Sequence, residues 1–189
     1  RNAFLLAAIG AAMISGCSTA NQQTNAKVEN TENMTREQLV GKWSCTTTYP
    51  DQSLRAFDDM DIKHDGTFTD TSNIYFPIQK KSRDSLFSYG RVLTGSWALD
   101  GNKITYLFLT QGKVLHREHM NSPLWEKVKE DKQEEVIRST DKIIYKILSE
   151  PYAKDESITL SMTMALPGMF TYDQTLGDKT YDGICMRNE

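Results

Sequence analysis

The stretch Gly41-Lys42-Trp43-Ser44-Cys45-Thr46-Thr47-Thr48-Tyr49 decides the fold, because its side chains alternate in character with a period of two. One face of this segment carries Trp43, Cys45, Thr47 and Tyr49. The other face carries Lys42, Ser44, Thr46 and Thr48. Successive side chains of a β-strand point to opposite faces, so the pattern predicts a strand with one buried and one solvated face.

Similar segments follow at short intervals and indicate an antiparallel β-protein. Asp65-Gly66 and Asp100-Gly101-Asn102 are typical of hairpin turns. We predict seven further strands, at 56–63, 67–76, 88–99, 103–109, 142–149, 156–164 and 179–188. About eight strands in one domain favour a sandwich or an up-and-down barrel, and we expect the barrel, with residues 35–189 as its domain.

One segment between the strands has helical character. Ser122-Pro123 resembles an N-cap followed by proline at the first helical position. Leu124, Trp125 and Val128 then form an apolar stripe. We therefore predict a helix at about 122–134 that packs on the outside of the barrel or across one mouth.

Several motifs resemble the lipocalin family and related calycin barrels. Leu39-Val40-Gly41-Lys42-Trp43 resembles their Gly-x-Trp opening, and 95–104 resembles the central hairpin of bacterial lipocalin-like domains. Tyr145-Lys146-Ile147-Leu148, followed by Ile158-Thr159-Leu160, is similar to their next hairpin. The resemblance covers about 35–188. It implies an eight-stranded barrel that binds a small apolar or amphiphilic ligand.

Cys45 and Cys185 lie on the first and last predicted strands. In a closed meander with an even number of strands these two strands are antiparallel neighbours. We expect a disulfide between them if the protein is exported, with two buried free thiols as the alternative. If Cys45 lies opposite Cys185 on antiparallel strands, the residue numbers of every opposed pair add up to 230, which places Trp43 opposite Arg187. The family resemblance gives the same pair the role of closing one barrel end, with the arginine on the indole.

The N-terminal segment is interpreted as an export and anchoring signal. Residues 3–14 are an apolar run too short to span a bilayer as a helix. Ile14-Ser15-Gly16-Cys17 resembles the lipobox of bacterial lipoproteins, which implies lipidation of Cys17 with acyl chains such as palmitate. We therefore expect a signal peptide at 1–16, truncated at its start, and a lipid-anchored tether at 17–34. Ser18 after the cysteine implies the outer membrane by the same resemblance.

Composition and missing motifs narrow the function. The 189 residues carry a net charge of −3, which argues against nucleic acid as a partner. His116 and His119 are too few for a zinc site, and Asp58, Asp59 and Asp61 fit a strand better than a calcium loop. The sequence contains neither a nucleophile elbow nor a glycine-rich phosphate loop. We therefore expect no enzyme activity, no cofactor and no metal.

Two binding functions remain, beside a purely structural envelope protein. A ligand cavity would use large interior side chains, for which the candidates are Trp97, Tyr106, Phe108, Tyr145 and Met162. The same residues would fill a solid interior, so the sequence leaves both interiors open. A protein partner, such as a protease or lysozyme to be inhibited, would be reached by the segment 165–178. That segment is alternatively a lid over the barrel.

Overall fold

The computed structural model describes residues 33–79 and 84–189 and shows a closed antiparallel barrel of eight strands. Nine strands are present in these two ranges, and β6 lies outside the ring. The strands are β1 Gly41–Tyr49, β2 Leu54–Ile62, β3 Thr67–Phe76, β4 Phe87–Asp100, β5 Lys103–Gln111, β6 Leu115–Glu118, β7 Ser157–Leu166, β8 Met169–Leu176 and β9 Lys179–Arg187. The described helices are α1 Arg36–Leu39, a 3₁₀ turn at Pro50–Gln52, α2 Leu124–Glu130 and α3 Glu134–Ser149. The predicted fold class is confirmed.

The ring closes where β1 pairs with β9. Cys45 lies opposite Cys185 and Trp43 lies opposite Arg187, which is the predicted register. The two cysteines form a disulfide across 140 residues of chain. The covalent bond and the strand pairing therefore join the two ends of the meander at the same place.

The end of the barrel that Trp43 occupies is closed by stacked cations. The Arg187 guanidinium lies 4.3 Å from the centre of the Trp43 ring, and Arg36 lies 4.2 Å from that of Trp97. Arg187 also donates to the backbone carbonyls of Val40 and Gln38. A guanidinium over an indole stabilises by about 0.5–2 kcal/mol. We call this the closed end.

Helix α1 lies across the closed end and is defined by its cap. The Thr35 hydroxyl accepts from the Gln38 amide, while the Gln38 side chain accepts from the Thr35 amide. Leu39 is fully buried, and its carbonyl accepts the indole N–H of Trp43 at 2.7 Å. Met34, which the sequence places at the end of the tether, is also buried in this core. The packed fold therefore extends one residue further than the predicted boundary.

Two predicted segments were wrong in type. Residues 142–149 form the second half of α3 instead of a strand, so the resemblance of 145–160 to a hairpin was also wrong. The buried positions Ile137, Ile144 and Leu148 recur with a helical period, whereas Ile143 is half exposed. The eighth barrel strand is instead β8, inside the segment 165–178 that was predicted to be a loop or lid.

The other end of the barrel, here the mouth, is covered by a second apolar cluster. β4 extends beyond the barrel and pairs with β6. The predicted helix at 122–134 ends early. Helix α2 stops at Glu130, and a separate helix, α3, begins at Glu134. The cluster unites this extension with α2 and α3 through Leu54, Phe76, Leu86, Phe87, Tyr89, Val114, Trp125, Ile137, Ile144 and Leu148.

Polar contacts tie α3 to the extension. Asp141 of α3 accepts a hydrogen bond from the Tyr89 hydroxyl at 2.6 Å and bonds the His116 ring at 2.8 Å.

Neither α2 nor α3, nor any other helix in the described ranges, has the length and apolar character needed to cross a bilayer.

Gly41→Ala is expected to lower the free energy of unfolding by about 2–4 kcal/mol. Gly41 has a φ of +135°, and an added β-carbon would collide with the Arg187 guanidinium. Gly101→Ala is the matched control, since it also has positive φ (+58°) but no described atom within 4 Å of the added carbon. Denaturant unfolding of both variants measures the difference. Equal losses would show that Arg187 contributes nothing through this contact.

Candidate functional site

The half of the barrel interior nearer the mouth contains a cavity of about 120 Å³. Its walls combine aliphatic and aromatic side chains with ionisable groups. They are Cys45, Thr47, Tyr49, Ala56, Asp58, Met60, Phe68, Asp70, Ser72, Ile74, Arg91, Leu93, Tyr106, Phe108, Tyr152, Ile158, Leu160, Tyr172 and Gln174. A dry cavity of about 150 Å³ holds a molecule the size of benzene, so this space admits a small chemical group.

The ionisable groups enter the cavity because of strand register. Asp58 of β2 pairs with Ser72 of β3, which pairs with Arg91 of β4, so the three form a row around the wall. Asp70 lies in the next row towards the closed end, between Met60 and Leu93. Asp58 and Asp70 are therefore diagonal neighbours on adjacent strands.

Burial perturbs both carboxyl groups. Desolvation raises the pKa of Asp58 to about 6, against the lowering effects of the Ser72 hydrogen bond and the Arg91 charge. Desolvation also raises the pKa of Asp70 well above its usual range, and the nearby Asp58 charge adds to it. Asp70 is only 6% exposed, and its Oδ1 has no hydrogen-bond partner. An unsatisfied buried acceptor of this kind is costly and needs a physical explanation.

Arg91 lies at the neck between the cavity and the mouth. Its Nη1 donates to the Leu148 carbonyl at 3.2 Å and its Nη2 to the Tyr152 hydroxyl at 2.9 Å. The Tyr152 ring stacks on Phe108 with centroids 4.4 Å apart. Arg91 therefore fastens the end of α3 and the segment after it to the barrel, while its own buried Nε has no partner.

A second cavity of about 230 Å³ lies at the mouth, and its walls combine aliphatic with polar side chains. The aliphatic ones include Leu54, Ile144, Ile147, Leu148, Pro151 and Leu176, and the acids Glu150 and Glu156 also line it. It shares Tyr49, Ile74, Arg91, Tyr152, Ile158 and Gln174 with the inner cavity. The two spaces are therefore neighbours across one neck, and the outer one has a larger aliphatic surface formed by α3 and β2.

The wall opposite the acids is hydrogen-bonded within itself. The Tyr172 hydroxyl lies 2.6 Å from that of Thr47, and Tyr49 donates to Gln174 at 2.9 Å. Tyr172 occupies space above Gly183 that a β-carbon there would fill. Desolvation raises the pKa of Tyr172, so its hydroxyl stays protonated at neutral pH. This wall therefore presents uncharged, already partnered groups to the cavity.

The predicted ligand residues divide into three groups. Tyr106 and Phe108 line the inner cavity. Trp97 and Met162 are buried in the packed core towards the closed end, where the indole of Trp97 donates to the Lys63 carbonyl at 2.9 Å. Tyr145 was wrongly placed in the barrel, since it lies on α3 with 37% exposure.

Sequence reasoning missed the charged groups of the cavity, although their positions along the strands indicate that they face inward. Asp58 shares a strand face with Met60 and Ile62. Asp70 and Ser72 share one with Phe68. A charged residue that shares a strand face with buried apolar residues indicates a polar site inside a barrel. The interpretation of Asp58, Asp59 and Asp61 as strand residues did not consider that Asp58 lies on the same face as Met60.

His116 and His119 lie outside the cavity, near the β4–β6 extension, and His64 lies in the turn between β2 and β3. His116 contacts Asp141, and the His119 ring lies 3.0 Å from the Ser88 hydroxyl. Across 33–79 and 84–189, no group of three or more His, Cys, Asp or Glu side chains is arranged to hold a metal ion.

Comparison of the sequence with protein-family models and with curated proteins finds no match. The closed antiparallel barrel is consistent with a lipocalin-like fold.

Asp70→Asn is expected to raise the free energy of unfolding at pH 7 by about 1–2 kcal/mol, because a neutral amide costs less to bury than a carboxylate. A raised folded-state pKa means that each carboxyl stabilises the fold fully below about pH 4 and loses this contribution as pH rises through its folded-state pKa, which is about 6 for Asp58 and well above the usual range for Asp70. The variant should therefore lose less stability than the wild type between pH 4 and pH 7. Asp182→Asn, on an exposed position of β9, serves as control in the same denaturant series. Identical slopes for the two variants would contradict the assignment.

Proposed function

We propose that this protein binds a small amphiphilic molecule, with its polar group in the inner cavity and its apolar part at the mouth. The observation that carries the proposal is the pair of buried polar atoms without partners, Asp70 Oδ1 and Arg91 Nε, in the walls of a cavity. A barrel filled for stability alone would not leave two such groups beside empty space. A bound molecule would satisfy them.

The order of the two cavities supports an amphiphile rather than a wholly apolar ligand. Asp58, Asp70 and Arg91 converge on the inner space, and the outer one offers an aliphatic surface beside polar residues such as Glu150 and Glu156. Ligand sites typically combine apolar walls with a few placed polar groups that fix orientation. Under this proposal, Asp58, Asp70 and Arg91 join the sequence-based candidates, of which Tyr106 and Phe108 line the inner cavity.

We further propose that the protein acts in the cell envelope, anchored by lipid on Cys17. Cys17 and the preceding segment lie outside the described residues, so the lipobox resemblance carries this part. The Cys45–Cys185 disulfide supports it, since such bonds persist in oxidising compartments. The described chain begins at Asn33 and enters the barrel at the closed end, opposite the mouth.

The protein-inhibitor alternative relied on residues 165–178 as a loop, and the structure shows a hairpin there instead. Residues 165–178 include the end of β7 and the whole of β8, and Phe170 is 1% exposed inside the barrel. The turn at Pro167-Gly168 is held by the Gly168 carbonyl, which accepts from the Arg187 backbone N–H at 2.8 Å. This hairpin is part of the barrel wall.

Calorimetric titration with three eight-carbon amphiphiles, 1-octanol, octylammonium and octanoate, tests binding. At least one should bind with a Kd between about 1 µM and 1 mM. Ala56→Phe, or the milder Ala56→Leu, should weaken that binding at least about tenfold, because Ala56 is buried and lines the cavity. Thr71→Phe, on an exposed position of β3, is the control. Absence of binding by all three probes would leave a purely structural barrel as the conclusion.

Cys17→Ser is expected to abolish lipidation and release the protein from the membrane fraction, since the serine hydroxyl cannot replace the acylated thiol. Ser18→Ala, which keeps the cysteine, is the control. Membrane fractionation and the intact mass of the protein measure both effects. An unchanged mass and distribution in Cys17→Ser would contradict the lipobox interpretation.

A further inference from the structure

The inner cavity is lined by more acidic than basic side chains. Asp58 and Asp70 line it with a single cation, Arg91. In the described part of the chain, no ion pair within 4 Å joins Arg91 to either carboxylate. The terminal nitrogens of Arg91 are instead engaged by Leu148 and Tyr152 at the neck. When both acids ionise, the cavity therefore carries one uncompensated negative charge.

The unpartnered atom of Asp70 specifies what a ligand must supply. A carboxylate oxygen accepts hydrogen bonds and donates none, so Oδ1 requires a donor. Asp58 already accepts from Ser72 and retains further acceptor capacity. A ligand group with several N–H donors and a positive charge satisfies both the hydrogen bonding and the charge.

We infer that the inner cavity takes the ammonium group of a protonated primary amine, held by Asp70 and Asp58, with the apolar body of the amine directed to the mouth. This inference rests on the proposed function and names the ligand class of that site. The contacts would be charge-assisted hydrogen bonds, which are roughly twice as strong as neutral ones.

The other walls of the inner cavity suit such a group. Phe68, Tyr106 and Tyr172 line it, and aromatic faces attract a desolvated cation. The Phe68 and Tyr106 rings already contact each other edge to face, with centroids 5.0 Å apart, which fixes their position. The cavity of about 120 Å³ has room for a head group and the first carbons of a chain, and the mouth takes the remainder.

An anionic ligand fits the same space less well. A carboxylate would place a third acid beside Asp58 and Asp70, and it would leave Asp70 Oδ1 without a donor unless a proton were added. Arg91 Nε is the group that favours an anion, because it is a buried donor without a partner. The comparison of ammonium, hydroxyl and carboxylate on one chain length therefore decides between these ligand classes.

Titration of the folded full chain with octylammonium, 1-octanol and octanoate at pH 8 is the test. Octylammonium should bind at least about tenfold more tightly than 1-octanol, and octanoate should bind most weakly. Asp70→Asn should weaken octylammonium about ten- to hundredfold and change 1-octanol by less than about threefold. Asp59→Asn, one residue from Asp58 but exposed on the outer face of β2, is the matched control. Asp58→Asn is the second variant if Asp70→Asn does not fold.

The outcomes separate this inference from the proposed function. Binding of 1-octanol or octanoate more tightly than octylammonium would retain a ligand-binding barrel and overturn the amine. Equal loss of octylammonium affinity in Asp59→Asn and Asp70→Asn would also overturn it, since the effect would be one of general charge. Absence of binding by all three probes would overturn both proposals. A short-chain phosphatidylethanolamine, in which the ammonium lies next to a phosphate, tests whether the bound ammonium group comes from a lipid or from a free amine. If it binds more tightly than octylammonium, the amine belongs to a lipid head group, and otherwise to a free amine.

The pH dependence gives an independent readout. Octylammonium remains charged from pH 5 to pH 8, whereas the two carboxyls must lose their protons to hold it. Its affinity should therefore fall at least about tenfold between pH 8 and pH 5, while that of 1-octanol stays constant. The charged or titratable groups that face or influence the acids are Asp59, Arg91, Tyr49, Tyr106, Tyr152 and Tyr172. Burial raises the pKa of each of these four tyrosines further above that interval. An octylammonium affinity independent of pH would contradict the inference.

Discussion

The pairing of β1 with β9 is the constraint on which the rest of the molecule depends. It turns a meander into a ring, and it is fixed by the Cys45–Cys185 disulfide and by the stacking of Arg187 on Trp43. Once this register is set, alternation decides for every strand which side chains face inward. The registers of β2 and β3 then place Asp58 and Asp70 inside, and a slip of one residue in either strand would move its acid to the solvent.

The barrel interior changes along the barrel axis. It is filled at the closed end and contains a cavity nearer the mouth. Towards the closed end, Trp43, Trp97 and Phe170 pack tightly with α1. Towards the mouth, carboxyls, aromatic and aliphatic side chains surround a space that the end of α3 and Tyr152 cover. The packed half supports the barrel, and the open half is available for a ligand.

The sequence predicted the elements that depend on local alternation and could not predict those that depend on distant partners. The barrel class and the register of β1 and β9 follow from period-two patterns and from one pair of cysteines. The segment 142–149 was misjudged because its apolar residues suit either period, and the cluster of α3 with Phe87 and Trp125 decides for the helix. The site was missed for a similar reason. A carboxyl on the apolar face of a strand can be paired with a cation from another strand. It indicates a cavity only when the structure shows that no side chain fills the space beside it.

The acid pair would link stability to the proposed binding. Burying Asp58 and Asp70 disfavours their ionised forms, so at neutral pH the empty barrel carries a cost that a packed interior would avoid. A ligand that brings a positive charge and hydrogen-bond donors would remove this cost when it binds, and the free energy that it restores would add to the stability of the folded chain. The same carboxyls that weaken the empty fold would therefore strengthen the proposed complex. Their protonation at lower pH would weaken that complex while it relieves the empty barrel, so acidification would favour release of the ligand rather than unfolding of the protein.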